Sequence, residues 1–257
     1  LRRYTLQPGM RERLIALFDR ELVEPQEECG MDVIAQFRDV DDPNVFTWLR
    51  GFADMDARRA ALAAFYGGPV WAAHRDSANA TMVDSDNVRL LRPVSAASGF
   101  EPSGQMRADP DATVVPSGLT VVTVYTLASH AVKGFAEFFD HTIAPEMIAS
   151  GAAPCATLET EPSEITFPRL PVREGEHCFV WFAQFDDVRE YAWHAVRLQA
   201  SREWRERRRP MLERCFAAPA QRWRLTPTAR SLPLVYSGRL VGSHCGSYCD
   251  SQRGAAR

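Results

Sequence analysis

A nine-residue stretch occurs twice in this chain, and the recurrence limits what the chain can fold into. Phe46-Thr47-Trp48-Leu49-Arg50-Gly51-Phe52-Ala53-Asp54 returns as Phe179-Val180-Trp181-Phe182-Ala183-Gln184-Phe185-Asp186-Asp187. Phe46, Trp48, Phe52 and Asp54 therefore reappear 133 residues later (46 to 179, 54 to 187), and the same spacing carries Trp71 to Trp204. Aromatic residues alternate with others in both copies, which is the period of a β-strand. Two half-chains, each built around an aromatic strand, have to be accommodated.

The flanking segments repeat as well. Tyr4-Thr5-Leu6 and Tyr125-Thr126-Leu127 read as opening strands, offset by 121 residues (4 to 125). A helix follows each. In the first, Met10, Leu14, Leu17, Phe18, Leu22 and Val23 fall on one face; in the second, Phe135, Phe138, Phe139, Ile143 and Met147 do. Pro25 and Pro145 sit near matching places and predict that both helices curve over a twisted sheet. Met31–Val40 reads as the next strand, with Asp41-Asp42-Pro43-Asn44 as a tight turn into the aromatic strand. Its counterpart is Ala156–Glu161, followed by a longer proline-rich loop, Pro162–Glu176, that changes the offset from 121 to 133. Helices Asp54–Phe65 and Val188–Arg208 come next, and strands Val88–Arg92 and Arg222–Thr226 close the halves.

Each half is thus strand–helix–strand–strand–helix–strand, the ferredoxin-like unit. Such a unit leaves one sheet face bare, and the other half is its natural cover. The expected fold is α+β: tandem ferredoxin-like βαββαβ repeats whose antiparallel sheets pack face to face within one chain. The expected divisions are 1–92 for the first repeat, 93–118 for a linker, 119–226 for the second repeat and 227–257 for a C-terminal tail. Leu232–Leu240 could add one edge strand.

Composition excludes little. A net charge of −3 offers no general attraction to nucleic acid. The longest apolar runs are too short to span a bilayer, and no signal-peptide pattern opens the chain. The six cysteines are scattered, so a reduced, cytoplasmic protein is expected. Dinucleotide, phosphate-loop, zinc-protease and serine-hydrolase motifs are missing from the sequence.

Arg3-Tyr4-Thr5-Leu6 with Pro8-Gly9, Phe37-Arg38-Asp39 with Asp42-Pro43, the Phe46–Phe52 stretch, Arg58-Arg59, Phe65-Tyr66-Gly67-Gly68-Pro69-Val70-Trp71 and His74-Arg75 together resemble the NIPSNAP family of the dimeric α/β-barrel superfamily. The resemblance covers the first half directly and the second through the repeat. It implies a ligand cavity between the helices and sheet of a half. It implies no single reaction, since relatives in that superfamily include cofactor-free monooxygenases, isomerases, cyclases and haem enzymes.

Strand alternation puts Phe46, Trp48, Arg50 and Phe52 on one face. Arg50 could hold a carboxylate or enolate, or stack on Trp48 at the sheet rim. Ile34, Gln36 and Arg38 are expected to share a face of the neighbouring strand, where Gln36 and Arg38 need partners. His74 follows Trp71 by one helical turn and could act as a general base. The expected site therefore combines His74, Arg38 and Arg50 as catalytic groups with Tyr4, Gln36, Phe46, Trp48, Tyr66 and Trp71 against a small apolar or aromatic molecule. No cofactor or metal is expected. The chemistry would be cofactor-independent: proton transfer, cyclisation or isomerisation, or monooxygenation. A non-catalytic binding or interaction protein is the alternative. Haem binding, through a histidine such as His194 directed into an apolar cavity, is a weaker one. His244, Cys245 and Cys249 lack a fourth donor and read as part of a polar tail. Partners beyond the small ligand are neither nucleic acid nor membrane, and a homodimer of the duplicated chain is compatible with the pattern.

Overall fold

Both aromatic strands occupy the interior of the same four-stranded arrangement. The computed structural model describes residues 1–101 and 104–236. The first repeat comprises β1 (Arg2–Leu6), a helix α1 over 11–28, β2 (Asp32–Asp39), β3 (Val45–Gly51), α2 (Met55–Gly67), α3 (Pro69–Asn79) and β4 (Met82–Asp84). After β5 (Leu91–Pro93) and β6 (Phe100–Glu101) comes the second: β7 (Leu119–Thr126), α4 over 135–150, β8 (Ala156–Thr160), β9 (Cys178–Phe185), α5 (Val188–Ala200), α6 over 202–213 and β10 (Gln221–Pro227).

Strand order is β4-β1-β3-β2 in one repeat and β10-β7-β9-β8 in the other, so the two arrangements are identical. The registers agree too. Tyr4 stands opposite Phe46, as Tyr125 stands opposite Phe179; Arg2 faces Trp48, as Thr123 faces Trp181. A one-residue slip would turn every side chain to the other face, so this agreement makes the halves equivalent position by position.

Two seams join the sheets. At one, β2 pairs with β10. At the other, a single passage of chain serves both edges: β4 pairs with β1, Val88 bridges to Arg2, and β5 pairs with β8. The closing strand expected over Val88–Arg92 is therefore corrected: the first repeat closes on Met82–Asp84, and of 88–92 Val88 only bridges to Arg2 while Leu91 and Arg92 begin β5 on the other sheet. The result is a barrel, a closure that removes the exposed edges. Ala35, Phe37, Leu49, Val122, Val124, Val180, Phe182 and Leu225 fill its interior. Separate cores lie between each sheet and its own helices.

Helices α1 and α4 are irregular near the prolines. Each contains a π-helical turn, Phe18–Leu22 and Phe139–Ile143, just ahead of Pro25 and Pro145. Helix α6 repeats the device, with Trp204–Arg208 ahead of Pro210. Proline has no N–H to return to the preceding turn, and a wider turn re-registers the neighbouring bonds. Gly30 and Gly151 lie just past these two helices with φ of 88° and 98°, a conformation that favours glycine. Asp54 and Asp187 cap α2 and α5 through hydrogen bonds from Ala57 N–H and from Arg189 and Glu190 N–H.

Three further expectations are corrected. The helix expected over Val188–Arg208 breaks at Ser201, which caps α5 before α6 starts. A bulge between Val33 and Ala35 turns Ile34 toward the barrel interior, so it does not share a face with Gln36 and Arg38. The segment read as a linker is partly docked: Phe100–Glu101 pairs with Val235–Tyr236, and Arg107 bonds the carbonyls of Val33 and Arg230 and pairs with Glu27. Val235–Tyr236 is the described part of the expected edge strand; His244, Cys245 and Cys249 lie outside the described residues.

Candidate functional site

Equivalent strands present equivalent aromatic walls to the two helix layers, yet the space between differs greatly. In the first repeat, Phe18 packs edge-on against Trp48 at 4.8 Å, Tyr4 against Trp48 at 6.1 Å and Tyr66 against Trp71 at 5.0 Å. The residual cavity beside Trp48 holds about 30 Å³, room for a water or two. In the second repeat the matching space holds about 660 Å³, within the usual range of ligand pockets.

Reading the repeats column by column explains the contrast. Arg2, Arg50 and Arg58 become Thr123, Ala183 and Tyr191; Leu62 becomes Ala195, Phe65 becomes Leu198 and Tyr66 becomes Gln199. Nearly every change removes side-chain volume from one place. One change adds chemistry: Ala61 becomes His194.

The structure gathers Tyr4, Phe46, Trp48, Tyr66 and Trp71 into one core, with Arg50 over the Trp48 ring at 5.0 Å. It does not bring Arg38, Gln36 or His74 to the cavity beside Trp48. Arg38 reaches Glu12 of α1 at 2.6 Å, and His74 Nε2 lies 3.5 Å from Glu21. Gln36 is buried on the α1 side of β2, near Asp19, and its amide has no hydrogen bond of good geometry. Burial raises the Asp19 carboxyl to about 6, against the opposing pull of Arg230 and Arg107.

The larger cavity has a different character. Trp181 and Trp204, 4% and 3% exposed, have indole N–H groups without a hydrogen-bond partner, and so has Nδ1 of His194, 6% exposed. All three residues line the cavity, with Thr123, Tyr125 and Tyr191. Burial pulls the His194 imidazole down to about 4; the Ser150 carbonyl beside it opposes this, and Arg197 and Arg222 add to it. The ring is neutral at physiological pH. Burial also raises the Tyr125 phenol; the Trp181 indole approaches it and partly offsets that effect, though the pair falls short of hydrogen-bond geometry. Arg209, Glu213 and Arg222 are exposed members of the lining, and Arg209 Nε pairs with Glu213 at 2.7 Å.

Of this second-repeat cavity, the sequence singled out only His194; the tryptophans, Tyr125 and Thr123 around it were not read as a lining. The readable signal was Ala183 at the position of Arg50: a small residue in an aromatic strand makes room as well as removing a charge.

Residues 1–98 match the NIPSNAP family model. No curated protein matches the chain in sequence. Among solved structures, an anthrone oxidase-like protein aligns over 95% of this chain and 94% of its own, with a TM-score of 0.50 and 13% identity. A candidate monooxygenase from Fusobacterium nucleatum aligns over 93% and 94%, at TM-score 0.49 and 12% identity. An uncharacterized NIPSNAP-like domain protein from Burkholderia xenovorans covers 47% of this chain and 93% of its own, at TM-score 0.37 and 18% identity. The anthrone oxidase-like protein thus shares the fold described above, and the NIPSNAP resemblance holds over residues 1–98. Among the described residues, no helix is long and apolar enough to cross a membrane, and no group of three or more His, Cys, Asp and Glu is placed to hold a metal.

Proposed function

We propose that the second repeat binds a small, largely apolar or aromatic molecule bearing a carbonyl or hydroxyl oxygen, and that the protein transforms it without a resident metal or nucleotide. One observation carries this reading: Trp181, Trp204 and His194, each with a buried ring nitrogen that has no hydrogen bond of good geometry, line a single aromatic cavity. Buried polar groups left unpaired are costly, and a ligand oxygen between the two indoles would satisfy them. Developing negative charge on that oxygen would be stabilised by the same fixed donors. Neutral His194 can accept a proton from the bound molecule. The set suits enolisation, with isomerisation or ring closure as its outcome, or attack of oxygen on an electron-rich enolate.

The test is a panel of hydroxy-aromatic and enolisable ketone compounds, scored by tryptophan fluorescence and then by turnover in air and under argon. His194→Gln is expected to lower turnover by roughly 100-fold or more, the usual weight of a general base, with binding changed little. Binding lost in Trp204→Phe but turnover unchanged in His194→Gln would remove His194 from the chemistry.

Two further readings rest on particular residues. The lining's charged members, Arg209, Glu213 and Arg222, are exposed, which favours a protein that binds without reacting; unchanged ligand mass after prolonged incubation would support it. Haem also fits the donor set, with His194 as ring ligand and Arg209 and Arg222 available to its carboxylates. A Soret band that forms on adding hemin and is lost in His194→Ala would select that reading. Pairing of two such chains is checked by light scattering.

A further inference from the structure

In the first repeat, the space that stays open in the second is filled by three arginines, and no carboxylate neutralises them. Arg2 and Arg58 are 4% and 3% exposed, and Arg50 is half-buried. Among the described residues none of the three forms an ion pair. Their hydrogen bonds go to neutral groups: Arg2 Nε donates to the Tyr4 hydroxyl at 2.7 Å, Arg50 to Gln26 Oε1 at 2.8 Å and Arg58 to Thr166 Oγ1 at 3.4 Å. Asp86 acts on Arg2 only through space. Arg50 lies 5.0 Å from the Trp48 ring centre, 5.5 Å from Phe52 and 5.9 Å from Tyr66; Arg2 lies 5.5 Å from Trp48, and Arg58 6.0 Å from Phe52. Ring faces moderate this charge and do not cancel it. Arginine keeps its proton in proteins, so the cluster stays cationic.

Neighbouring groups register that field. Burial alone would raise the Tyr66 phenol, yet Arg50, Arg2 and Arg58 outweigh it and hold the phenol below the ordinary tyrosine value. Burial, and then Arg50 and Arg2, bring the Arg58 guanidinium down to about 10.

The cover over this cluster comes from the other repeat. Residues 162–176 join β8 to β9 and cross to the first repeat. Phe167 stacks on Tyr66 with centres 6.2 Å apart and planes at 27°, and Thr166 donates to the Met55 carbonyl at 3.1 Å. Leu170 packs on the same core. The matching turn of the first repeat is short, and no first-repeat residue lines the larger cavity.

We propose that Arg2, Arg50 and Arg58 form an oxyanion site in the first repeat, where a small carboxylate or phosphate group enters as the 162–176 loop moves off the cluster and takes the place of their present hydrogen bonds to Tyr4, Gln26 and Thr166. The guanidinium forks supply in-plane N–H pairs of the kind that recognise both groups. The site is separate from the second-repeat cavity, which none of the three arginines lines.

Calorimetry on the full chain, with inorganic phosphate in one arm and acetate in the other at constant ionic strength, tests this. We expect one saturable site for at least one anion, weakened about tenfold or more in Arg50→Met and in Arg58→Met. Binding should be unchanged in Arg92→Met, whose guanidinium pairs with Glu159 at the surface, and in His194→Gln. No saturable heat from either anion, or equal affinity in the wild type and the two cluster variants, overturns the proposal. If those variants lose their circular dichroism, tyrosinate absorbance of the wild type decides. The binding anion must move one ionisation, the one missing in Tyr66→Phe, to higher pH; an unmoved titration overturns the site. Phosphate alone would mark a phosphorylated ligand, and acetate alone a carboxylic acid.

Discussion

His194 and Asp19 are buried ionisable side chains whose shifts act in opposite senses, and together they shape stability against pH. His194 is held at about 4 instead of its ordinary 6.5. Its contribution is complete above about 6.5 and is lost as pH falls toward 4, a change of about 3 kcal/mol. Asp19 is held at about 6 instead of 3.8. Its contribution is complete below 3.8 and is lost as pH rises through 6, again by about 3 kcal/mol. These two contributions nearly offset each other between pH 4 and 6. Relative to the wild type, urea midpoints should therefore gain toward acid in His194→Gln and lose toward acid in Asp19→Asn. A His194→Gln curve that parallels the wild type would show that this imidazole is not held neutral by the fold. Neither shift could be read from the sequence, because each arises from packing between segments far apart in the chain.

At the scale of elements, the repeat made most of the architecture legible in advance. Aromatic alternation located β3 and β9, apolar periodicity located α1 and α4, and Pro25 and Pro145 marked where each helix departs from regular α geometry. What escaped were features set by long-range pairing: the bulge at Val33–Ala35, the divided β4 and β5, and the docking of Phe100 against Tyr236. The cavity escaped for a related reason. A strand pattern shows which face a residue occupies but not whether its neighbours fill the space above it, and Ala183 has meaning only beside Thr123 and Ala195. The paired caps give a direct check on equivalence. Asp54→Ala and Asp187→Ala should each cost about 1 kcal/mol in chemical denaturation. A cost confined to one of them would show that the two helix starts are not energetically alike.

At the scale of the whole molecule, two seams and the crossing loop tie the halves together. The barrel interior draws on both, with Ala35, Phe37 and Leu49 from one and Val122, Val180 and Leu225 from the other. Cutting the exposed segment near Val114 should therefore leave two fragments that elute together, fold cooperatively and separate only in denaturant. Fragments that part under native conditions would mean the seams contribute little.

Joining the two copies in one polypeptide has a consequence of its own. When a module pairs with an identical partner, every replacement is made at both sites simultaneously, so a change that opens one chamber opens its mate. Here Arg50 and Ala183 occupy symmetry-related places and are inherited separately. A single chain thereby lets the two chambers differ, one holding charge and the other space.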